Sequence, residues 1–557
     1  MSFFNKFIRY WHTIKHLKPI QILYRIYFIL IIPSKIRTSE VLVKSISPTP
    51  IFFLRNKKSL ISKNEFIFFN LKGNVDKIGW NPVNTKKLWI YNLHYFDHLS
   101  DLKSGNEVDW SNQIISKWID ENPSFKGIGW DSYPTSLRII NWVKWIMNAN
   151  AFDSKMIAIL NTQTEWLYKR IEWHLLGNHL FSNAKALLFS SILLDGDSTN
   201  KWFTKAIKII DKELKEQVLD DGGHFELSPM YHAIFLEDLL DIIQLTIAFP
   251  DRFQNEKLFQ WKEVALTMIS WLRIMNHSDG EIALFNDSAF NISLSLAELE
   301  EYALRLKLIK TIEVTDSIYT QNKTFKYQLN HLKDSGYLNL NDQNIDILID
   351  VADVGPSYLP AHAHADTLSF ELSYMSQRVF VNGGTSTYEM GDKRNKERMT
   401  SSHNTVVLNN ISSSDAWSSF RMGRRAKPFD FKVAQQSNYV QVSCSHDGYK
   451  NLNSSPVHNR EWIFKKNELI ITDKIIGKYN SFIAHYILHP DVKITKKDLT
   501  TYVLRLKDGN EINMTIDATN FDLINFYYSP YFGESIATKA FMIESDSNNI
   551  ICNISWK

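Results

Sequence analysis

The sequence predicts an α+β multidomain chain, a helical domain followed by an all-β one, and three observations support this. From about residue 110 to 310 apolar residues recur at helical spacing, and no strand pattern interrupts them. From about residue 330 the runs become short and alternating, with frequent turn residues. The 557-residue length leaves room for two or three domains, each with its own core.

The helical elements follow in order. "TSLRIINWVKWIMNA" puts Leu137, Ile140, Val143 or Lys144, and Met147 on one stripe, with Thr135 or Ser136 as its cap. "NAKALLFSSILL", "IFLEDLLDIIQLTIAF" and "WKEVALTMISWLRIM" repeat the pattern and stop at "DGD", "PD" and "HSDG". Serial helices of this kind form helical hairpins.

In the β region "NIDILIDVADVG", "RVFVNGG", "NTVVLNN" and "YVQVSCS" read as strands, and "WIFKKNELII" as a hairpin turning at Lys466-Asn467. Many short strands of this type predict a large antiparallel sandwich. "HAHADTLSF", residues 361–369, also reads as a strand. His362, His364 and Asp366 then share a face that continues through Leu368, Phe370, Leu372 and Tyr374. Burying such polar groups without partners costs on the order of 2–7 kcal/mol each. The row therefore implies hydrogen-bond partners, a metal, or an open cleft. The predicted boundaries are an extension over 1–75, a helical domain over 76–328 and a β domain over 329–557.

Hydrophobic residues make up 44% and charged residues 22%, which is a globular composition. A formal charge of +3, with no basic tract, argues against a nucleic-acid partner. Aromatic residues reach 13%, including 16 Trp, side chains that fill cores and also stack on sugar rings. Two cysteines, Cys444 and Cys552, exclude a cysteine-built zinc module and a disulfide framework. No P-loop, strand-embedded GxGxxG or GxSxG pattern is present, so nucleotide and α/β-hydrolase chemistry lack support.

The N-terminal stretch interleaves Lys and Arg with Phe, Trp, Tyr and Ile. Its apolar run from Ile20 to Pro33 is broken by Arg25 and is too short to span a bilayer. An amphipathic helix is expected, packed on the protein or resting on a membrane surface. With no cleavage-site pattern, the expected location is the cytoplasm or the inner membrane surface, with the periplasm as the alternative.

Three polar stretches stand out as chemistry: "GNHLFSN" with Asn178 and His179, "DGGHFELSPMYH" with His224, Glu226 and Tyr231, and the 361–369 segment with the downstream His403. Taken singly, Asn178 reads as a helix cap and His179 as a first-turn residue, Tyr231 as a packed tyrosine and His403 as structural. His364 and His403 have the right chemistry for a zinc site closed by further donors.

"GNHLFSNAKAL", "SPMYH", "HAHADTLSFELS", "VNGGTSTYE" and "SSHNTVVLNN…FRMGRRA" resemble, in order and separation, the heparinase II/III-like polysaccharide lyases, from about residue 80 onward. The resemblance implies an incomplete α/α toroid followed by a large antiparallel β-sandwich. It also implies β-elimination on a glycan containing uronic acid, so the expected partner is an acidic polysaccharide or oligosaccharide. Asn178 and His362 would neutralise the substrate carboxylate. Tyr231 would serve as acid and also as a base candidate, with His179 the other base. A structural zinc, or another divalent metal, would be held by His364, the residue at 382 and His403. The family usually has Asp where this chain has Asn382, a weaker ligand. Ala233 stands where some alginate-acting relatives have arginine, which argues against carrying over alginate as substrate. Trp130, Arg138 and Trp142, in "GWDSYPTSLRIINW", with His224 and Glu226, are candidate substrate contacts. Two other functions use the same groups: a uronyl C5-epimerase, and a glycan-binding or surface-polysaccharide biosynthesis protein.

Overall fold

The computed structural model describes residues 3–31, 36, 40–44, 51, 59–100, 105–149, 152–310, 320–321 and 326–557. The expected N-terminal helix is two: Phe3–Ile14 and, after a break at Leu17-Lys18, Pro19–Leu30 with proline in its first turn. The apolar run beyond Ile31, to Pro33, lies outside the described residues. A three-stranded sheet, Leu60–Ser62, Glu65–Phe68 and Leu71–Asn74, precedes the helical domain.

The helices form an incomplete α/α toroid. Ser132–Ala149 begins three residues ahead of the expected cap, because Thr135 and Ser136 turn their hydroxyls back to the carbonyls of Gly129 and Ser132. Gly177–Leu193 packs on Ser132–Ala149, Thr199–Gln217 and Pro229–Ala248. Of its 17 residues only Asn178 and His179 are not buried. Buried all round, it has no polar face, and only its first turn emerges. Lys185, within it, is paired with Asp238 and Asp241.

The β domain places a six-stranded sheet, including Ile345–Asp350 and Phe370–Tyr374, over an eight-stranded one built around the Val457–Lys465 and Glu468–Ile476 hairpin. Lys465 pairs with Glu468 and Asn467 has φ +61°, so the turn lies at the predicted position. Alternate side chains of that hairpin enter a core shared with Ile347, Phe370 and Leu372. Its ladders among the described residues are antiparallel, with one isolated parallel bridge between Gly384 and Ser529. Cys444 and Cys552 are buried and unbridged.

One expected strand is absent: residues 361–369 are irregular, and pairing starts only at Phe370. The backbone of this segment is bonded elsewhere. The Asp287 amide donates to the His362 carbonyl at 2.9 Å, the His364 amide to Asn286 Oδ1 at 2.9 Å and the Ala365 amide to the Arg398 carbonyl at 3.0 Å. Leu368, at φ +64°, then redirects the chain into the sheet. The segment thus joins the two domains.

Candidate active site

The toroid contributes the first turn of Gly177–Leu193. The chain enters it through positive φ at Leu176 and Gly177. A Cβ on Gly177 would lie 2.5 Å from Leu359 Cδ2 and 3.1 Å from Glu226 Oε1, so glycine is what lets these groups close on the turn. His179 Nδ1 is 3.2 Å from both oxygens of Glu172, and its ring packs on Tyr133 at 4.3 Å between centroids. Burial works to raise the Glu172 carboxyl, but His179 and the Asn183 amide hold it below the usual carboxylate range. The anion therefore orients the ring, accepts Nδ1–H and leaves Nε2 for substrate.

Ser228 caps Pro229–Ala248, accepting from the Tyr231 amide at 3.2 Å, and donates its own hydroxyl to the Asp287 carbonyl at 2.7 Å. This fixes Tyr231 with its ring 3.9 Å from that of His362 and its hydroxyl 3.0 Å from that of Tyr388. Burial, then Tyr388 and Asp287, push the Tyr231 phenol well above its ordinary value, so it keeps its proton.

Asp287 is the hub. Its oxygens face His362 Nδ1 at 2.9 Å and His364 Nε2 at 2.8 Å, and both accept from the Arg394 guanidinium. Burial opposes its charge, but Arg394 and the two imidazoles hold it well below the usual range. Being anionic it can only accept, so His362 donates Nδ1–H and turns the lone pair of Nε2 outward. Beside that nitrogen lies Glu226, at 3.7 Å. Neither Glu226 oxygen has a well-formed hydrogen bond, and the nearest backbone donor is the Asn178 amide. Burial and the nearby Asp287 charge push this carboxyl up to about 8.

The sequence-predicted residues divide. Asn178, His179, Tyr231, His362 and Glu226 converge where the two domains meet. Trp130, Arg138 and Trp142 do not reach the cleft and are corrected to core residues. Trp130 packs on Trp118, Phe125 and Trp166, and Trp142 on Phe96 and Trp118. Arg138 is fully buried, bonded to Gln163 Oε1 at 2.7 Å, with its guanidinium 3.9 Å above Trp118. His224 is also buried away from the cleft, held by Gln217 at 3.1 Å and walled by Phe225 and Phe235.

His364 and His403 stand with rings 5.2 Å apart, each with one buried nitrogen lacking a partner, Nδ1 and Nε2 respectively. Asn382 Oδ1 instead sits 3.2 Å from His403 Nδ1, where it orients that ring. Among the described residues no three His, Cys, Asp or Glu side chains are grouped to hold a metal ion. Asn382 Nδ2 is likewise buried without a partner, and the neutral amide at this position is a weaker metal ligand than a carboxylate.

Glu172, Asp287, Tyr388 and Arg394 were not foreseen from the sequence. Tyr388 lies in the "VNGGTSTYE" segment without having been singled out there; Glu172, Asp287 and Arg394 carry no local motif and are defined only by the partners that folding brings to them.

The chain belongs to the heparinase II/III family. The family's N-terminal model, "Heparinase II/III N-terminus", matches residues 61–306, and its "Heparinase II/III-like, C-terminal" model matches residues 325–557. A heparin-sulfate lyase of Bacteroides stercoris is 23% identical over 493 residues, covering 80% of this chain and 70% of the relative. A heparin-sulfate lyase of Pedobacter heparinus is 23% identical over 395 residues, covering 67% of this chain but only 56% of the relative. The solved structure of heparinase III has the same fold, with a TM-score of 0.70 at 18% identity over 87% of this chain and 81% of that one. That of a heparan sulfate lyase HepC mutant from Pedobacter heparinus gives 0.61 at 18% identity over 88% and 81%.

Proposed function

We propose that this protein is a polysaccharide lyase that cleaves an acidic glycan by β-elimination next to a uronic acid. The observation that carries the reading is the meeting of Asn178, His179 and Tyr231 from the toroid with His362 from the β domain, sealed by the 3.9 Å Tyr231–His362 contact. The names of the lyase relatives support an acidic glycan as the substrate class.

The chemistry follows from charge. Removing the C5 proton builds negative charge on an existing carboxylate, so the site must first offset that charge. Asn178, half-buried in the first turn of a helix, supplies an amide donor beside the positive end of the helix dipole. His362 faces the carboxylate through Nε2; burial lowers its pKa despite the Asp287 anion, so the imidazolium that would donate there has to be drawn out by the substrate's own charge. The resident carboxyls do not compete. Asp287 is matched by Arg394, and Glu226 holds a proton at neutral pH.

His179, backed by Glu172, takes the C5 proton on Nε2. The C5–H electrons form the C4–C5 double bond, the C4–O4 bond breaks, and the Tyr231 hydroxyl delivers its proton to O4. Tyr231 enters the reaction in the protonated form the acid role needs, because burial keeps its proton in place and the phenolate a base would require is not populated. Proton return through Tyr388 or water then resets the pair.

The test is a panel of uronate polymers followed by ultraviolet absorbance in heavy water. An unsaturated uronyl end supports the proposal. Deuterium at C5 of an uncut chain would make the protein an epimerase instead, and neither product from any polymer would leave a binding role.

A further inference from the structure

The two N-terminal helices have an inward and an outward face, and only the inward one is accounted for. On Phe3–Ile14, Thr13 Oγ1 accepts from Trp417 Nε1 at 3.2 Å and the Tyr10 ring meets the Trp417 ring at 5.0 Å, which anchors the helix to the β domain. On Pro19–Leu30, Tyr24 packs on Trp173, Phe28 on His174, and Gln21 is buried, which anchors it to the toroid. Lys18, at the junction, pairs with Glu216 and lies 3.7 Å over the Tyr358 ring.

Outward, the pattern reverses. Phe7, Trp11 and Ile14 form one exposed stripe, and Ile22, Leu23, Ile26, Ile29 and Leu30 another, with Ile29 77% and Leu30 75% exposed. Eleven of the 28 large hydrophobic side chains that are exposed among the described residues fall within residues 7–31. Such a concentration marks an interaction surface.

Charge selects the occupant. Residues 1–39 contain seven Lys or Arg and no Asp or Glu, although the whole chain is only +3. Lys15, just past the first helix, and Arg25, on the second, are exposed, and so is Arg421 from the β domain. Burial, and after it the charge of Arg421, depress Arg25, so the two cations act on one another at this rim. A second copy docking by two-fold symmetry would set this cationic patch against itself. An anionic bilayer matches both the apolar stripes and the charge. Each helix has 12 residues and none of the described helices is long and apolar enough to cross a membrane, so the pair would lie in the interface.

We propose that the outward face of these two helices docks the protein on an anionic phospholipid surface. The cleft is then held at the membrane's edge, since Trp173 and His174 adjoin Glu172, and Phe420, three residues after Trp417, lies 5.8 Å from the His362 ring. This inference does not depend on the catalytic reading.

The experiment pellets the full chain with vesicles of phosphatidylcholine alone or mixed with phosphatidylglycerol. Binding to the mixed vesicles is expected to be about tenfold or more stronger, to weaken in high salt, and to fall by about tenfold or more in Leu23→Glu/Ile26→Glu/Ile29→Glu. That triple variant should keep the wild-type melting temperature, because these side chains touch solvent. The proposal is overturned if the wild-type chain stays in solution with anionic vesicles, or if the folded triple variant binds them equally well. Sedimentation showing self-association that only the triple variant loses, without vesicle binding, would assign the face to a second copy.

Discussion

Two buried aspartates, one inside the β-sandwich and one where the two domains meet, are built alike and do different things. Asp473, inside the sandwich, holds Arg460 through two hydrogen bonds of 2.6 and 2.8 Å and His458 at 2.7 Å. Asp287, at the domain junction, holds Arg394, His362 and His364. Both carboxyls stay ionised against burial because an arginine and imidazole donors face them, Asp473 at about 2 and Asp287 well below its usual range.

The difference lies in the far side of the imidazoles. His458 Nδ1 meets His446 Nε2 at 3.1 Å, and Arg460 caps the Leu368 carbonyl at 2.8 Å, so that cluster is closed. His362 lays its ring against Tyr231 and turns Nε2 toward a carboxyl, Glu226, that has no well-formed bond of its own. The same residue types make a structural knot in one place and a reactive face in the other, and unsatisfied valence is what distinguishes them.

The sharpest way to break this comparison is to remove each aspartate. Asp287→Ala and Asp473→Ala should each cost about 3–5 kcal/mol in denaturant unfolding, because an arginine is left buried without its partner. Turnover per folded molecule should then be lost in the first and retained in the second. Equal activity losses would show that the two clusters are not distinct in role.

Next in size is the reactive face itself. Tyr231→Phe and His179→Ala should each lower kcat by about 10²–10⁴, with stability changed by no more than about 1 kcal/mol in chemical denaturation. If Tyr231→Phe stays active while His179→Ala does not, the acid has been assigned to the wrong residue.

Glu226 gives a pH effect with a definite sign. Its folded carboxyl titrates at about 8, above the unfolded value near 4.3, so the folded state binds the extra proton between these limits. Stability should therefore fall as pH rises from about 4 to about 8, by up to about 1.4 kcal/mol per pH unit, and level off above. Glu226→Gln should flatten that slope in unfolding curves taken across the range. An unchanged slope would mean that Glu226 is ionised or solvated.

Smallest of all is the expected response to chelation. With two imidazoles and no carboxylate at His364, Asn382 and His403, prolonged dialysis against EDTA should leave turnover and melting temperature unchanged. A loss restored by zinc or calcium would reveal donors beyond those three.

The helical-to-β change near residue 330 and the hairpin at Lys466-Asn467 were legible because periodicity and turn residues are local properties. Asn178, His179, Tyr231 and His362 were legible through the family resemblance, since each sits in a short recognisable segment. Trp130, Arg138 and Trp142 were misplaced because an aromatic–arginine helix stripe looks the same whether it lines a groove or fills a core; only the packing of Trp118 and Phe96 against it decides. The strand expected over 361–369 failed because the loop at 286–287, roughly 75 residues earlier, takes the hydrogen bonds a neighbouring strand would have needed.

What sequence alone determined about this protein is therefore its two textures, its basic amphipathic beginning and the residue types capable of proton transfer. Tertiary structure decided the rest: that Asp287 and Arg394 set the tautomer of His362, that Glu172 aims His179, and that Glu226 is left protonated between them. The physical reason is that protonation and orientation depend on burial and on partners far away along the chain, which no local pattern encodes.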